Sequence, residues 1–238
     1  MTTIAGCQRL QRSWYAALAQ ATGGRTFSTH ECDWIWLPAR SELMLMFPAR
    51  ISTAGLRPGL AEGVRLGART VGVWLNGAVR ATGLAEFGFT PGWQPWWMSA
   101  PADALSTFRT DGVELTSEVP EYSGVLAAEL AVVSAAPARA WHALARVDGA
   151  AAGAAYSFFD RSAGGSSTLG GIFNMEVLPQ HRRRGLGTAL LAAAGGQAAA
   201  AGAKELALNA TPAGYELYSR RGFDLIGRGQ TWWLHLDR

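Results

Sequence analysis

From Gln8 to Ala21 the apolar residues Leu10, Trp14, Leu18 and Ala21 recur at helical spacing and Gly23-Gly24 follow, which predicts an amphipathic opening helix. Thr26 to Leu37 is rich in β-branched and aromatic residues. Its alternation puts Trp34 and Trp36 on one face and Ile35 and Leu37 on the other, so a strand covered on both faces is expected, ended by Pro38. Leu43 to Phe47 reads as a second buried strand closed by Pro48, Leu60 to Ala68 as a short helix, and Thr70 to Leu75 as a further strand.

Beyond it, Ala100 to Pro120 is polar and predicts a linker or crossover. Gly124 to Ser134 fits a strand or a short helix equally well. Ala140 to Val147 and Ala152 to Phe159, joined through Asp148-Gly149, predict a hairpin. Ser162 to Ser167 reads as a flexible connection. The expected order then becomes a strand (Thr168 to Leu178), a helix (Leu186 to Ala201), a strand (Lys204 to Ala210), a helix (Ala213 to Arg221, stopped by Gly222) and a closing strand (Thr231 to Leu236).

An internal echo decides one ambiguous place. Asn76-Gly77 alone signals a hairpin. Yet Val71 to Leu75, Asn76, Gly88-Phe89 and Trp96-Trp97-Met98 repeat the order of Leu206 to Leu208, Asn209, Gly222-Phe223 and Trp232-Trp233-Leu234. The repeat predicts a strand followed by a helix at 76 and a duplicated module, with domains at 1–118 and 119–238. Core packing of the two Trp-Trp strands is the other account of the echo. The first half has no glycine-flanked basic loop; its nearest stretch, Leu56-Arg-Pro-Gly-Leu-Ala-Glu-Gly, holds a proline and no arginine cluster, so no cofactor is expected there.

The 238 residues are enough to bury a core, and 49% hydrophobic against 16% charged residues excludes a disordered chain. A net charge of +3 gives no reason to expect nucleic acid, although Arg182 to Arg184, Arg220, Arg221 and Arg228 gather positive charge late in the chain. Cys7 and Cys32 make neither a disulfide framework nor a metal set, so a reduced, cytoplasmic setting and no metal are expected. Ile4-Ala5-Gly6-Cys7 has the look of a lipoprotein box, but no leader of the required kind precedes it. The apolar run Ala189 to Ala203 is broken by Gly195, Gly196 and Gln197 and is shorter than the ~20 residues of a membrane span.

The densest chemistry lies between Phe173 and Thr188. An apolar strand ends at Pro179, three arginines follow, and Gly185 and Gly187 flank Leu186 where a helix begins. Free N–H groups and the macrodipole make such a helix start an anion site, and the glycines let a pyrophosphate reach the backbone. The spacing is neither a P-loop nor a dinucleotide fingerprint. Val177-Leu-Pro-Gln-His-Arg-Arg-Arg-Gly-Leu-Gly187 resembles the acyl-CoA pyrophosphate loop of the GCN5-related N-acetyltransferases, the GNAT superfamily. Leu206 to Phe223, ending in Leu217-Tyr-x-x-x-Gly-Phe, is similar to that family's later strand and helix.

The resemblance covers roughly the last hundred residues. It implies a mixed, mostly antiparallel α/β (α+β) sheet flanked by helices, here in two lobes of which the first is degenerate, and transfer of acetyl from acetyl-CoA to an amine. Cofactor contacts are implied at Met175, Glu176 and Val177 on the strand, and at Arg182, Arg183, Arg184, Gly185, Leu186, Gly187 and Thr188 in the loop. Asn209, Thr211 and Tyr218 follow from the second block. Thr211 stands where many members carry an Asn.

The resemblance makes Tyr218 the acid for the departing thiolate, and an ordinary tyrosine pKa near ~10 keeps it protonated for that role. Alternation predicts Ile172, Asn174, Glu176 and Leu178 on one face and Phe173, Met175 and Val177 on the other. Glu176 is then the first candidate base, directly or through water, unless it is spent on an arginine. His142 and His181 are further candidates. A small-molecule amine is the expected acceptor, with no nucleic acid or membrane partner. A CoA-binding protein without transferase activity is the alternative.

Overall fold

The computed structural model describes residues 1–118, 127–160 and 168–236. In chain order the elements are α1 (Ile4–Ala21), β1 (Arg25–Thr29), β2 (Cys32–Leu37), β3 (Glu42–Met46), α2 (Thr53–Leu66), β4 (Thr70–Asn76), α3 (Thr82–Ala85), β5 (Thr90–Pro91) and β6 (Trp96–Pro101). There follow β7 (Val113–Leu115), α4 (Ala127–Ala135), β8 (Ala140–Val147), β9 (Ala150–Phe158), β10 (Leu169–Val177), α5 (Leu186–Ala200), β11 (Glu205–Ala210), α6 (Pro212–Ser219) and β12 (Asp224–His235). The fold is mixed α/β, with largely antiparallel strand pairing and flanking helices.

Contacts divide the chain into two compact units, and neither is a single stretch of sequence. One comprises Met1–Ser13 with Trp97–Ile226, the other Trp14–Trp96 with Gly227–Arg238. In the first, the strands run β6-β11-β10-β9-β8-β7. Here β10 and β11 pair in parallel, while β9 joins β10 and β8 in antiparallel register. In the second the order is β1-β2-β3-β4-β12, with β5 also on β12 and β3 parallel to β4.

Each unit has a core suited to its residues. In the second, α2 covers Trp34, Leu43, Leu45, Val71 and Val73, all fully buried. In the first, α5 lies on Ala143, Ala145 and Ala155, with Leu190 and Ala194 contributed by the helix. The close approach needs small residues. A Cβ on Gly195 would stand 2.6 Å from Leu105 Cδ1 and 2.9 Å from Leu206 Cδ1.

Several expectations are met with differences of extent. The opening helix begins at Ile4 rather than Gln8. Thr26 to Leu37 is a hairpin instead of one strand, because Glu31 takes a left-handed φ of 58° and turns β1 onto β2. The helix expected at Leu60 starts at Thr53, so Leu56 to Gly63 is helix and not loop. Ala100 to Pro120 is no bare linker: it holds a 3-10 turn at Ala102–Leu105 and the strand β7, which pairs with β8. Gly124 to Ser134 resolves as helix from Ala127 onward. The Ser162 to Ser167 connection lies outside the described residues. After Asn76 a short helix follows, as the repeat required, and Asn76 Oδ1 accepts from Ala78 N. Among the described residues no helix is long and apolar enough to cross a membrane.

One prediction tests the second core. A Cβ on Gly59 of α2 would lie 2.2 Å from the Trp34 ring, whose Nε1 is fixed by a hydrogen bond to Thr29 Oγ1. Gly59→Ala gains at most about 1 kcal/mol of helix propensity and loses about 1–3 kcal/mol to overpacking. Thermal unfolding should show a lower Tm; a raised Tm would mean that Trp34 moves aside freely.

Candidate active site

The site is built where β10 leaves β11. The two strands pair in parallel from Leu169↔Glu205 to Ile172↔Leu208 and no further. Just beyond, Asn174 takes φ 48°, and the register with β9 jumps from Phe173↔Tyr156 to Glu176↔Ala154. This is a β-bulge: two residues of β10 oppose one of β9, and the strand bends.

The bulge corrects the alternation expected from sequence. Ile172 packs toward Gly195 of α5, and Met175 and Val177 pack on the same α5 core. Phe173, which lies beside Leu10 at Gly171, faces the other way. Glu176 is paired with Ala154, the neighbour of core-facing Ala155, and so points away from α5 as well. Asn174 and Glu176 share a face as expected, but Ile172 belongs to the opposite one, and Phe173, expected with Met175 and Val177, lies away from them.

Backbone accounting shows what the gap offers. Leu178 N donates to Ala152 O at 2.9 Å, which makes Glu176↔Ala154, two residues back, a hydrogen-bonded pair and turns the peptide of Val177 away from β9. By the same alternation Met175 faces away from β9 too. Val177 O accepts from Arg182 Nε at 2.9 Å. What remains toward the gap is chiefly N–H.

At the far end of the loop, α5 begins without a side-chain cap. Gly185 is its N-cap residue, at φ 83°, a conformation that suits glycine; Thr188 N donates to Gly185 O at 3.0 Å, and the N–H groups of Leu186 and Gly187 have no partner within the helix. Arg182, Arg183 and Arg184 are exposed around it. A Cβ on Gly187 would come within 3.2 Å of Leu217 Cδ2 and 3.9 Å of Val177 Cγ2, so bulk there collides with α6 and β10. Thr188 Oγ1 accepts from Arg221 Nε at 3.1 Å, and the same guanidinium lies over the Phe108 ring at 5.0 Å. Arg221 thereby fixes the start of α5 to the end of α6. It was visible in the sequence only as local charge, and Phe108 sat in a presumed linker.

On α6, Tyr218 is 8% exposed and packs on Phe223 with ring centroids 6.1 Å apart. Burial pushes its phenol up to about 12. Thr211 caps α6, accepting from Gly214 N at 3.1 Å. Asn209 Nδ2 donates to the buried Gln11 Oε1 at 2.8 Å, and Asn209 Oδ1 is buried with no hydrogen-bond partner among the described residues.

Of the expected bases, Glu176 is exposed and makes no ion pair among the described residues. His142 is buried, and stacks on Tyr156 at 4.7 Å. Its Nδ1 donates to Thr116 O at 3.1 Å, and burial lowers its pKa, so the ring is a neutral part of the sheet. Sequence reasoning missed Glu129. It is 0% exposed, the lone charge of α4, and its Oε1 accepts from Asn174 Nδ2 at 2.5 Å. The signal was a single acid in an otherwise apolar stretch. Among the described residues no cluster could hold a metal.

The second unit also holds a parallel strand pair followed by a left-handed residue, with different surroundings. Phe47, at φ 55°, follows the parallel pair β3/β4, and its N–H donates to Trp74 O, so these strands stay joined one row longer. The N-cap of α2 is Ser52, whose side chain accepts from Gly55 N. Phe89 N donates to Leu84 O at 3.2 Å, as Phe223 N donates to Tyr218 O at 3.1 Å, and Gly88 and Gly222 are left-handed at 84° and 82°. Leu84 stands where Tyr218 does.

Removing the cap of α6 should be costly. Thr211→Ala is expected to destabilise the protein by about 0.5–2 kcal/mol, read as a lower Tm; an unchanged Tm would show that water replaces the hydroxyl at Gly214 N.

The family model described as "Acetyltransferase (GNAT) family" matches residues 105–223. No curated protein sequence matches the chain. Among solved structures the chain is similar to a GCN5-related N-acetyltransferase from Kribbella flavida, at 20% identity and a TM-score of 0.64 over 98% of this chain and 96% of that one. It also resembles a GCN5-related N-acetyltransferase-like protein from Streptococcus suis, at 13% identity and TM-score 0.60 over 96% and 99%. A tandem GNAT protein from the clavulanic acid biosynthesis pathway gives 14% and 0.54 over 87% and 79%.

Proposed function

The chain belongs to the GNAT family of acetyltransferases, and from that premise we propose that it acetylates the amine of a small molecule, with acetyl-CoA as donor and direct attack while both are bound. The observation that carries the reading is the uncapped start of α5 behind Gly185, next to a strand whose free peptide groups face a gap. Acetyl-CoA supplies the activated acyl group as a thioester. Loop amides from Arg183 to Thr188, with Arg182 and Arg184 at the rim, suit its pyrophosphate. The N–H groups of Met175 and Val177 suit the pantetheine arm and the acyl oxygen, on which negative charge grows as the amine attacks. Asn209 Oδ1, held by Gln11, is an acceptor for an amide N–H at the opposite wall.

Tyr218 is the proposed acid. A phenol pushed up to about 12 is fully protonated at neutral pH, and its proton is there to be given to the leaving thiolate. Glu176, on the face of β10 turned away from α5, is the proposed base, directly or through a water, for the proton that the attacking amine gives up.

The first half is proposed to be a degenerate copy of the module, within domains at 1–118 and 119–238. Its support is the shared left-handed turn before the loop, the shared Phe-to-helix hydrogen bond and the shared Gly-Phe corner. Ser52 occupies the helix start that an anion would need, and Leu84 the place of the phenol. A cytoplasmic setting accords with the free, buried thiols of Cys7 and Cys32.

Calorimetric titration with acetyl-CoA, with ATP as control, tests the reading. One site per chain and no ATP binding are expected, and Gly187→Glu should abolish it. Two sites would refute the degeneracy of the first half; unchanged affinity in Gly187→Glu would move the ligand elsewhere. Tyr218→Phe should keep acetyl-CoA affinity and lower kcat about 10²-fold, and equal kcat would remove the phenol from the reaction. Binding without turnover of any amine would favour the non-catalytic alternative.

A further inference from the structure

We infer that Gln11 of α1 is a positioning residue of the gap: it turns the amide of Asn209 so that Asn209 Oδ1 is the acceptor met by an amide N–H on the arm of the acyl donor. The inference rests on the acetyltransferase reading of that gap and deepens it.

The buried stripe of α1 runs through Cys7, Gln11, Trp14 and Leu18; Gln11 is 5% exposed and the others 1% each. Gln11 is the polar member of that stripe. An amide taken out of water costs free energy unless it is hydrogen-bonded, so an apolar residue would be the simpler choice there. Gln11 Oε1 offsets the cost by accepting from Asn209 Nδ2 at 2.8 Å.

Two lengths fix where this bond falls. Thr2 N donates to Glu205 Oε1 at 3.0 Å, which ties the approach to α1 to the first residue of β11. The nine residues from Thr2 to Gln11, mostly helix, rise about 13 Å. The four residues from Glu205 to Asn209 span about 13 Å of strand and end on the same face. Helix α1 therefore runs along β11 and brings Gln11 to Asn209, the first residue beyond the last parallel pair, Ile172↔Leu208. That is where the gap begins. A polar pair needed only to seat the helix could lie under any turn of α1, and Thr2 with Glu205 already serves that end.

An asparagine amide can present its oxygen or its nitrogen, and the partner already in place decides which. Gln11 Oε1 takes the Nδ2 side. Asn209 Oδ1 diverges from it on the same carbon and is buried with no hydrogen-bond partner among the described residues. Thr211, just past the end of β11, has its oxygen engaged by Gly214 N. The β11 wall thus holds an acceptor in reserve, whereas β10 across the gap offers chiefly N–H. Walls of opposite sign select a ligand with a carbonyl along one edge and an N–H along the other. An amide-bearing arm has both, and a nucleotide without the arm has no such chain.

Titration of the full chain with two probes tests the assignment: acetyl-CoA, and 3′-phosphoadenosine 5′-diphosphate, which keeps the pyrophosphate and lacks the arm. Gln11→Met keeps an unbranched side chain and removes the oxygen. It should weaken acetyl-CoA about tenfold and leave the nucleotide as it was. Gln11→Glu returns an acceptor for Asn209 Nδ2 in either protonation state and should recover the parental affinity for acetyl-CoA. A role confined to packing would weaken both probes together or neither. Should Gln11→Met not fold, Asn209→Leu asks the same question of the other partner, with the same selective loss expected. Unchanged acetyl-CoA affinity, an equal loss for both probes, or a Gln11→Glu protein no better than Gln11→Met overturns the assignment. Failure of the parent protein to bind acetyl-CoA overturns the acetyltransferase reading instead, and since that result needs no variant the two cannot be confused.

Discussion

The site depends on where backbone hydrogen bonding stops. As far as Ile172, β10 is paired with β11; after it β11 is gone, and the bulge at Asn174 bends the strand while the ladder to β9 resumes. Peptide groups left in an apolar interior cost free energy comparable to a lost hydrogen bond. An opening of this kind therefore calls for a ligand with amides of its own or for water. The second unit supplies a contrast, since its parallel pair β3/β4 runs up to Met46, next to the left-handed Phe47, whose N–H donates to Trp74 O.

Around the gap the supporting contacts form a short chain of dependencies. Gly195 lets α5 settle onto the sheet, and Arg221 ties Thr188 at the start of α5 to the end of α6. The cap from Thr211 sets the first turn of α6, from which Tyr218 follows. The open start of α5 and the Tyr218 phenol are thus held in one frame, so the roles proposed for them depend on the same few contacts.

Much of this was legible in the residues. The loop from Val177 to Gly187, the helix after it and the Leu-Tyr-x-x-x-Gly-Phe block carry local signals, because glycines, arginines and caps act within a few positions of themselves. The succession of elements in the second half followed for the same reason. The bulge did not. It inserts one residue into a run whose composition is as apolar on either side, so strict alternation misassigned Ile172 while pairing Asn174 and Glu176 correctly. Glu129 was invisible because its partner lies 45 residues away, and β7 because an edge strand of three residues has no period to detect. The hairpin at Glu31 was hidden by a polar residue in a glycine's conformation.

The exchange of chain ends between the two units bears on how the protein is made. Strand β4 is complete near residue 76, yet its neighbour β12 begins only at Asp224; the bond from Gln230 to Gly77 O closes across 153 residues and that between Thr70 and His235 across 165. Contacts so distant are slow to form, and until they do β4 presents an unpaired edge. The second unit is therefore the later one to be finished. During synthesis its half-built sheet is the part of this chain most in need of protection from other strands.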